Sequence, residues 1–359
     1  MGVGESGVHR LKDINGVFIC LFLVLLEGLG CNGGYVLRSS YFQMELLAHR
    51  VPLEEALADP EYTLKERERL EDILHAQQFA EKVGLKTGET YTSVARNWPR
   101  ELFNISACER DSFSPVTWDF PIVGTVPYLG FFRREDAHSI LRELTKTPNV
   151  EVYARPVGAY STLGYFDDPI LPSMLTRGRF GALRTVFHEL AHGTLWLPGS
   201  VGFNESFASF VGETLAVDYF RSLGSKEENT LNRAIEGMED HKVFEAIMRG
   251  IYGELDALYQ SPLSRTEKLQ KKKVILDSIP RRVQAASLHH PKSYKKLTRP
   301  SQWNNARLIQ FRAYNDLKPL FERVYEAHGR DLRKLLETLS QLPSEAAFRV
   351  LAGQDSASD

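Results

Sequence analysis

The sequence predicts an α+β protein that is mostly helical, with a small β-sheet beside one central helix. Apolar residues recur at helical spacing over residues 39–83 and over most of the chain after residue 183. Aromatic and β-branched residues separated by turns are concentrated between residues 90 and 169, as expected of short strands. The composition, 43% hydrophobic and 25% charged, provides for a substantial core.

The order of elements follows from these patterns. Helices interrupted at Pro52 are expected over residues 39–58, and a charged helix over residues 63–83 ends at Gly84 as a C-cap. The central part is predicted to hold a helix at residues 137–144 and strands at 90–94, 102–105, 120–131, 150–153 and 157–169. Helices are then expected at 205–223, 225–259, 263–279, 303–327 and 332–342, with residues 289–300 as an exposed basic connection.

An H-E-x-x-H motif lies in the apolar, proline-free helix predicted around residue 188. Residues four apart share a helix face, so His188 and His192 can present imidazole nitrogens to one metal ion. Glu189 can then act as a general base toward a water molecule at the metal. Catalytic zinc usually takes three protein ligands, and Glu205, thirteen positions after His192, is the natural third. Asn204 is expected to cap the second helix.

The position of the third ligand separates classes of metallopeptidase. Metzincins continue their motif with a glycine and a third histidine, where this chain has Leu195 and Pro198. The remaining arrangement is that of the gluzincins, zincin-like enzymes with a glutamate on a second helix. The segment from Asn204 to Ala208 resembles the Asn-Glu-Gly-Phe-Ala of thermolysin-like enzymes, although its spacing is shorter. Glu213, on the same predicted helix, is the competing ligand.

The N-terminal segment resembles a bacterial lipoprotein signal. Ten apolar residues, 17–26, follow Arg10 and Lys12; the run is too short to span a membrane and fits a signal peptide. Cys31 then lies in a lipobox-like sequence, although Glu27 and Gly28 depart from the usual pattern. We therefore expect residues 1–30 to be a signal peptide and residues 31–359 a single metallopeptidase domain lipidated at Cys31. An ordinary secretory signal and an uncleaved anchor are the alternatives.

Charge and cysteine content exclude other classes. The formal net charge is −2, from 44 basic and 46 acidic residues, so no nucleic-acid partner is expected. A lysine cluster has no interleaved aromatic residues and is predicted to be a solvated helix face; it comprises Lys268, Lys271, Lys272 and Lys273. Cys20, Cys31 and Cys108 form neither a disulfide pattern nor a metal-ligand pattern.

Several motifs together resemble the bacterial putative aminopeptidase family of envelope lipoproteins. They are Gly34-Tyr35, Gln43-x-Glu45-Leu46-Leu47, Trp118-x-Phe120-Pro121, Tyr128-x-Gly130-x-Phe132, residues 159–169, the H-E-x-x-H block and residues 304–307. Members often carry cysteines where this chain has Asp119 and Thr125. The resemblance implies a zinc-dependent peptidase, named for aminopeptidase activity. It also implies a lipid anchor on the periplasmic face of the bacterial cell envelope, in the outer membrane.

The gluzincin resemblance also implies roles for other residues. Tyr314 or Tyr160 would donate a hydrogen bond to the oxyanion. The segment at residues 157–169 would be the edge strand that holds an extended peptide, or else a purely structural strand. Its predicted substrate-binding residues are Ala159, Ser161, Thr162, Leu163 and Gly164. Asp167 or Asp168 would bind the substrate ammonium, or instead cap the turn before Pro169.

Two other functions remain open at the level of sequence. One is a non-catalytic envelope lipoprotein that binds zinc only as a structural element. The other is a zinc hydrolase that acts on a non-peptide substrate. The presence of Glu189 beside a three-ligand set argues against the first.

Overall fold

The computed structural model describes residues 33–120, 124–159, 162 and 166–353. Within these residues the chain is mostly helical and contains three small antiparallel sheets, which confirms the predicted α+β class. A search of the same residues finds no helix that is both long and apolar enough to cross a membrane.

The N-terminal part contains the predicted helices. The long charged helix begins at a capping box formed by Thr63 and Glu66, and the chain leaves it through Gly84, whose φ of +105° favours glycine. A short strand lies at the break expected around Pro52. The elements are α1 (Gly33–Ala48), β1 (Arg50–Pro52), α2 (Leu53–Ala58) and α3 (Leu64–Lys82).

The central strands form three sheets. In the largest, β3 (Leu102–Glu109) pairs on one side with β6 (Tyr128–Phe131) and on the other with β7 (Val150–Val157). The predicted strand at residues 120–131 is therefore several elements, because residues 124–126 pair with residues 118–120, whereas residues 128–131 pair with β3. The smaller sheets pair β1 with β2 (Ser93–Ala95) and β4 (Trp118–Phe120) with β5 (Gly124–Val126). Helix α4 (Arg134–Lys146) lies between β6 and β7 in the chain.

The strand predicted over residues 157–169 is not found beyond Val157 in the described part of that segment. Strand β7 ends at Val157, and the described part of residues 158–169 contains no strand. Within this segment Thr162 instead bonds to Asp168, whose carboxylate accepts hydrogen bonds from the Thr162 backbone N–H at 2.7 Å and hydroxyl at 2.9 Å. This local turn competes with extended backbone pairing. β7 is one of the two outer strands of the described three-stranded sheet, and β6 is the other.

Two long helices form the centre of the main hydrophobic core. After α5 (Pro172–Leu175), α6 (Arg179–Thr194) carries the H-E-x-x-H motif and packs against α7 (Val201–Ser222). A glycine in α7 permits the close approach: a Cβ on Gly212 would lie 2.7 Å from the Arg184 carbonyl oxygen and 3.3 Å from the His188 Cβ. Any side chain at this position would push the second helix away from the first.

The remaining helices pack around this pair. The predicted helix over residues 303–327 is interrupted at residues 316–317, because Pro319 lacks the N–H that a continuous helix needs. The predicted lysine face is wrong at Lys272, which is 6% exposed and pairs with Glu151 at 2.6 Å. The helices are α8 (Glu228–Gln260), α9 (Arg265–Asp277), α10 (Ile279–Gln284), α11 (Pro291–Tyr294), α12 (Asn305–Asn315), α13 (Lys318–Ala327), α14 (Leu332–Ser340) and α15 (Glu345–Leu351).

Candidate metal centre

Three side chains from α6 and α7 converge on one point. The Nε2 atoms of His188 and His192 are 3.2 Å apart. The Oε2 atom of Glu205 lies 3.5 Å from the first and 3.7 Å from the second. The His192 and Glu205 side chains are at least nine-tenths buried, and His188 is 16% exposed. This group could hold a metal ion.

The spacing and the hydrogen bonding of these atoms fit a cation. Two ligand atoms at about 2.0–2.1 Å from a tetrahedral zinc ion lie roughly 3.3 Å from each other. The buried Oε2 of Glu205 has no hydrogen-bond partner among the described residues. A buried carboxylate oxygen without a partner is costly, and a bound cation would satisfy it. The chemistry of the set, two imidazoles and one carboxylate, suits zinc.

The turn between the two helices is held in place by Asn204. Its side-chain Oδ1 accepts a hydrogen bond from the Leu197 N–H, and its Nδ2 donates to the Leu197 carbonyl, both at 2.8 Å. Asn204 is therefore not the N-cap, as the sequence suggested. The N-cap position is Ser200, and Phe203, in the first turn of the helix, packs on Phe321 and Phe348. Glu205 is thus the fifth residue of α7.

Tyr128 from strand β6 completes the surroundings of Glu205. Its hydroxyl donates a hydrogen bond to Oε1 of Glu205 at 3.0 Å, which leaves Oε2 facing the histidines. Burial and the neighbouring carboxylate raise the pKa of Tyr128 well above its usual value, so the hydroxyl keeps its proton. Burial alone would raise the pKa of Glu205, but the facing imidazoles of His188 and His192 hold that pKa well below its usual range. Glu205 is therefore ionised, as a metal ligand must be.

Glu189 lies at the boundary between two cavities. One cavity, of about 470 Å³, is largely apolar and includes Phe103, Phe131 and Trp196 in its lining. The other, of about 380 Å³, is lined mainly by charged and polar side chains. Both cavities reach His188 and Glu189. A molecule that occupied both cavities would pass beside the candidate metal centre.

Tyr314 from α12 also borders both cavities. Its ring stacks on His188 with centroids 5.9 Å apart and an interplanar angle of 9°. Its hydroxyl accepts a hydrogen bond from Nη2 of Arg155 at 3.0 Å. Burial and the Glu205 carboxylate raise the pKa of Tyr314, so its hydroxyl is protonated and can donate a hydrogen bond. Tyr160, the other tyrosine considered for this role, lies outside the described residues.

The remaining predicted site residues fall into three groups. Ala159 and Thr162 line the apolar cavity. Asp168 is buried in its bonds to Thr162, as a turn-capping residue would be, and Asp167 is exposed with its carbonyl accepting a hydrogen bond from Arg50. The residues outside the described part of the chain are Cys31, Ser161, Leu163 and Gly164.

Glu213 has a different partner. Its carboxylate lies 3.0 Å from the Lys318 Nζ and 3.6 Å from the Arg184 guanidinium. Lys318 also pairs with Glu245 at 2.8 Å. Glu213 is therefore part of a buried ion-pair network about two turns along the same helix from Glu205.

Sequence reasoning missed two residues of this region, Tyr128 and Arg155. Tyr128 had been noted as part of a family motif, but nothing in its local sequence linked it to Glu205, 77 positions away. Arg155 lies in a strand of alternating exposure and resembles any solvent-facing arginine in sequence. Alternation along β7 indicated only that Tyr153, Arg155 and Val157 share one face.

Fold and site together define an α+β protein with a candidate His-His-Glu metal centre between two packed helices, open to two cavities. The family model described as "Putative aminopeptidase" matches residues 34–349, and the chain belongs to this family. This match confirms the family inferred from the sequence motifs. No curated protein matches the chain, and no solved structure matches it.

Proposed function

We propose that this protein is a zinc-dependent peptidase, and that it acts as an aminopeptidase. The family description supports an aminopeptidase. The observation that carries the zinc-dependent chemistry is the convergence of His188, His192 and Glu205 directly beside Glu189. When bound, zinc would supply a Lewis acid that polarises the substrate carbonyl and lowers the pKa of water.

The residues of the chain carry the proton transfers. Glu189, next to the ligand His188 and at the border of both cavities, accepts the proton of the attacking water and returns it to the leaving amine. Tyr314, protonated and stacked on His188, donates a hydrogen bond to the carbonyl oxygen as negative charge develops there. β7, one of the two outer strands of the described sheet, lines the polar cavity with Tyr153, Arg155 and Val157 and reaches the apolar cavity at Val157, where its backbone would be offered to an extended peptide.

The arrangement favours a catalytic over a structural metal site. Structural zinc sites are normally closed by four protein ligands, whereas catalytic sites keep one position open. The described group here has three ligands, and cavities reach it from two sides. The N-terminal lipobox-like sequence supports anchoring through Cys31 in the bacterial envelope, which we include in the proposal.

The test compares three preparations against a mixture of short peptides. The untreated protein is expected to hydrolyse peptides with a free N-terminus faster than their acetylated forms. Chelation should abolish hydrolysis and added zinc should restore it. Glu189→Gln should retain the metal but lose activity by about 10²–10⁴-fold, because a neutral amide cannot accept the proton. An active Glu189→Gln protein would refute the proposed mechanism, whatever its metal content.

The same experiment separates the alternatives. If chelation lowers the unfolding temperature while no peptide is hydrolysed by the metal-loaded protein, zinc has only a structural role. If the metal-loaded protein cleaves ester or amide reporters but no peptide, the enzyme acts on a non-peptide substrate. Equal rates on free and acetylated peptides would retain the peptidase assignment and reject the aminopeptidase one.

A further inference from the structure

The polar cavity beside Glu189 contains more positive than negative side chains. It has a volume of about 380 Å³. Its charged lining residues include two carboxylates, Glu189 and Glu213. Opposite them are four guanidinium groups, which belong to Arg155, Arg177, Arg184 and Arg307.

The carboxylates do not neutralise these arginines. Glu213 pairs with the buried Lys318 and lies 3.6 Å from Arg184. Across the described part of the chain, no carboxylate forms an ion pair with the three other arginines. Glu189 lies next to the candidate metal centre, where a bound cation would offset its charge. The cavity therefore holds about three guanidinium charges that lack a carboxylate.

Two of these arginines are in protected positions. Arg307 is 9% exposed, and its guanidinium lies over the Trp303 ring at 4.2 Å. Its Nη1 donates to the backbone carbonyl of Gln302 at 2.7 Å. Arg155 contacts the Tyr314 hydroxyl, and its buried Nε has no partner among the described residues. Shielding an unpaired charge from water is costly, so an anion that entered the cavity would be favoured.

Gln310 supplies a further unsatisfied group. It lines the same cavity and is 7% exposed. Neither its side-chain nitrogen nor its oxygen has a hydrogen-bond partner in the described structure. Buried polar side chains are usually satisfied by protein or by bound molecules. The amide of Gln310 and the Nε of Arg155 are thus donors available to a ligand.

Gly158 makes room for a third arginine of the cavity. A Cβ at this position would lie only 1.9 Å from Nη2 of Arg177. The guanidinium therefore rests against the backbone just after β7, a place that only glycine leaves free. Its Nη1 donates to the Thr185 hydroxyl at 3.0 Å, one helical turn before Glu189 on α6. This contact holds Arg177 next to the helix that carries the candidate metal centre.

One arginine of the cavity, Arg155, is connected to the candidate metal centre through a single intervening side chain. Arg155 bonds to Tyr314, whose ring stacks on the ligand His188. An extended peptide advances about 3.3–3.6 Å per residue, so a substrate carboxylate near these arginines would lie within a few residues of the scissile bond. On the other side of His188 and Glu189, the second cavity offers mostly apolar surface.

We propose that the arginine-lined cavity binds a carboxylate of the peptide substrate, while the apolar cavity receives a hydrophobic side chain. This inference rests on the proposed peptidase function and specifies its substrate class. Guanidinium groups bind carboxylates through paired, charge-assisted hydrogen bonds, and the cavity presents several of them. The carboxylate is either the C-terminus of a short peptide or the side chain of an aspartate or glutamate close to the scissile bond.

Binding to the hydrolysis-deficient Glu189→Gln protein, loaded with zinc, tests the proposal without relying on turnover. Titration calorimetry would compare the tripeptide Phe-Ala-Ala as free acid and as C-terminal amide. It would also compare amidated Phe-Ala-Glu-Ala with amidated Phe-Ala-Gln-Ala. We expect that, in one of the two pairs, the peptide with the additional carboxylate binds at least tenfold more tightly than its amide counterpart. The pair that shows the preference identifies whether the C-terminal or the side-chain carboxylate is bound.

Arginine variants in the same background connect the preference to the cavity. Arg177→Gln, at an exposed position, and Arg307→Gln should each reduce the acid-over-amide preference by three- to tenfold. Arg142→Gln, at an exposed position on α4, is the control and should leave it unchanged. If Arg307→Gln does not fold, the result for Arg177→Gln alone tests the proposal.

The proposal would be overturned if acid and amide bound equally in both pairs, or if none of the four peptides bound. It would also be overturned if the preference for the acid were unchanged in Arg177→Gln. Failure of the peptidase assignment would look different. The wild-type protein would then hydrolyse none of these peptides, while the acid preference and its dependence on Arg177 persisted.

Discussion

The hydroxyl of Tyr128 donates a hydrogen bond to Oε1 of Glu205 at 3.0 Å. This bond joins the small sheet to the second helix of the candidate metal centre. It occupies one carboxylate oxygen and leaves the other facing His188 and His192. Hydrogen-bond partners of metal ligands orient those ligands and tune their affinity, so Tyr128 is a positioning residue for the metal.

Tyr128→Phe should therefore weaken zinc binding by about 10–100-fold, the usual effect of removing such a partner. The measurement is a competition titration with a chromogenic chelator. Tyr35→Phe is the matched control, because its hydroxyl bonds to the Gly130 carbonyl on the same strand at 2.7 Å and does not contact the ligand group. Equal affinity of Tyr128→Phe and the wild type would remove Tyr128 from the metal centre.

The third ligand is tested by comparing two glutamates on one helix. Glu205→Ala should reduce zinc affinity by orders of magnitude, since its Oε2 faces both imidazoles. Glu213→Ala should leave that affinity nearly intact, because Glu213 is paired with Lys318. His188→Ala and His192→Ala should each lose the single zinc ion bound per chain. The reverse pattern for the two glutamates in metal titrations would reassign the ligand.

The buried lysine network makes a prediction about stability. Lys318 is 4% exposed and pairs with Glu213 and Glu245. Lys318→Met removes the lysine from both carboxylates, leaving Glu213 only the more distant Arg184, and should lower the free energy of unfolding by about 3–5 kcal/mol. Lys242→Met, which breaks an exposed pair with Glu322, should cost less than about 1 kcal/mol. Urea unfolding measures the stability of both variants. Similar losses of stability in the two would contradict the assignment of Lys318 to a buried ion-pair network.

The pH dependence of this network follows from the sign of the pKa shift. Burial alone would lower the pKa of Lys318, but the two carboxylates raise it above its usual value. The stabilisation from the raised pKa is fully present below the unfolded pKa of about 10.4, and is lost as pH rises through the higher folded value. The stability difference between wild type and Lys318→Met should accordingly stay constant between about pH 6 and 9.

Membrane anchoring is tested at Cys31. Cys31→Ser should abolish acylation and move the protein from the membrane fraction to the soluble fraction, because firm partitioning needs more than one lipid chain. Cys20→Ser, within the apolar run of the proposed signal peptide, is the control and should remain membrane-associated. A Cys31→Ser protein that stays in the membrane fraction would instead support an uncleaved anchor.

Features set by near neighbours in the chain could be predicted from the sequence. The histidine pair follows from helix periodicity, which places residues 188 and 192 on one face. The capping box at Thr63 and the end of α3 at Gly84 likewise depend on contacts within a few residues. The break at Pro319 had an equally local cause, although the prediction extended the helix across it.

Other features were decided only by tertiary structure. The N-cap of α7 is Ser200 and not Asn204, whose side chain bonds to the Leu197 backbone instead. Strand β7 ends at Val157, where its pairing with β3 ends, whereas Asp168 holds Thr162 in a turn. Pairing between distant strands depends on partners that no local pattern identifies.

By itself, the sequence determined that a metal-ligand motif lies on an apolar helix and that two glutamates were candidates to complete it. Tertiary structure determined which of the two faces the histidines. Glu205 does, and its carboxylate accepts a hydrogen bond from Tyr128, whereas Glu213 pairs with Lys318. It also gathered Arg155, Arg177 and Arg307 into one cavity. The physical reason is the distance along the chain over which each interaction acts. Helix periodicity acts over a few residues, whereas the charges around a site come from strands and helices more than a hundred residues apart.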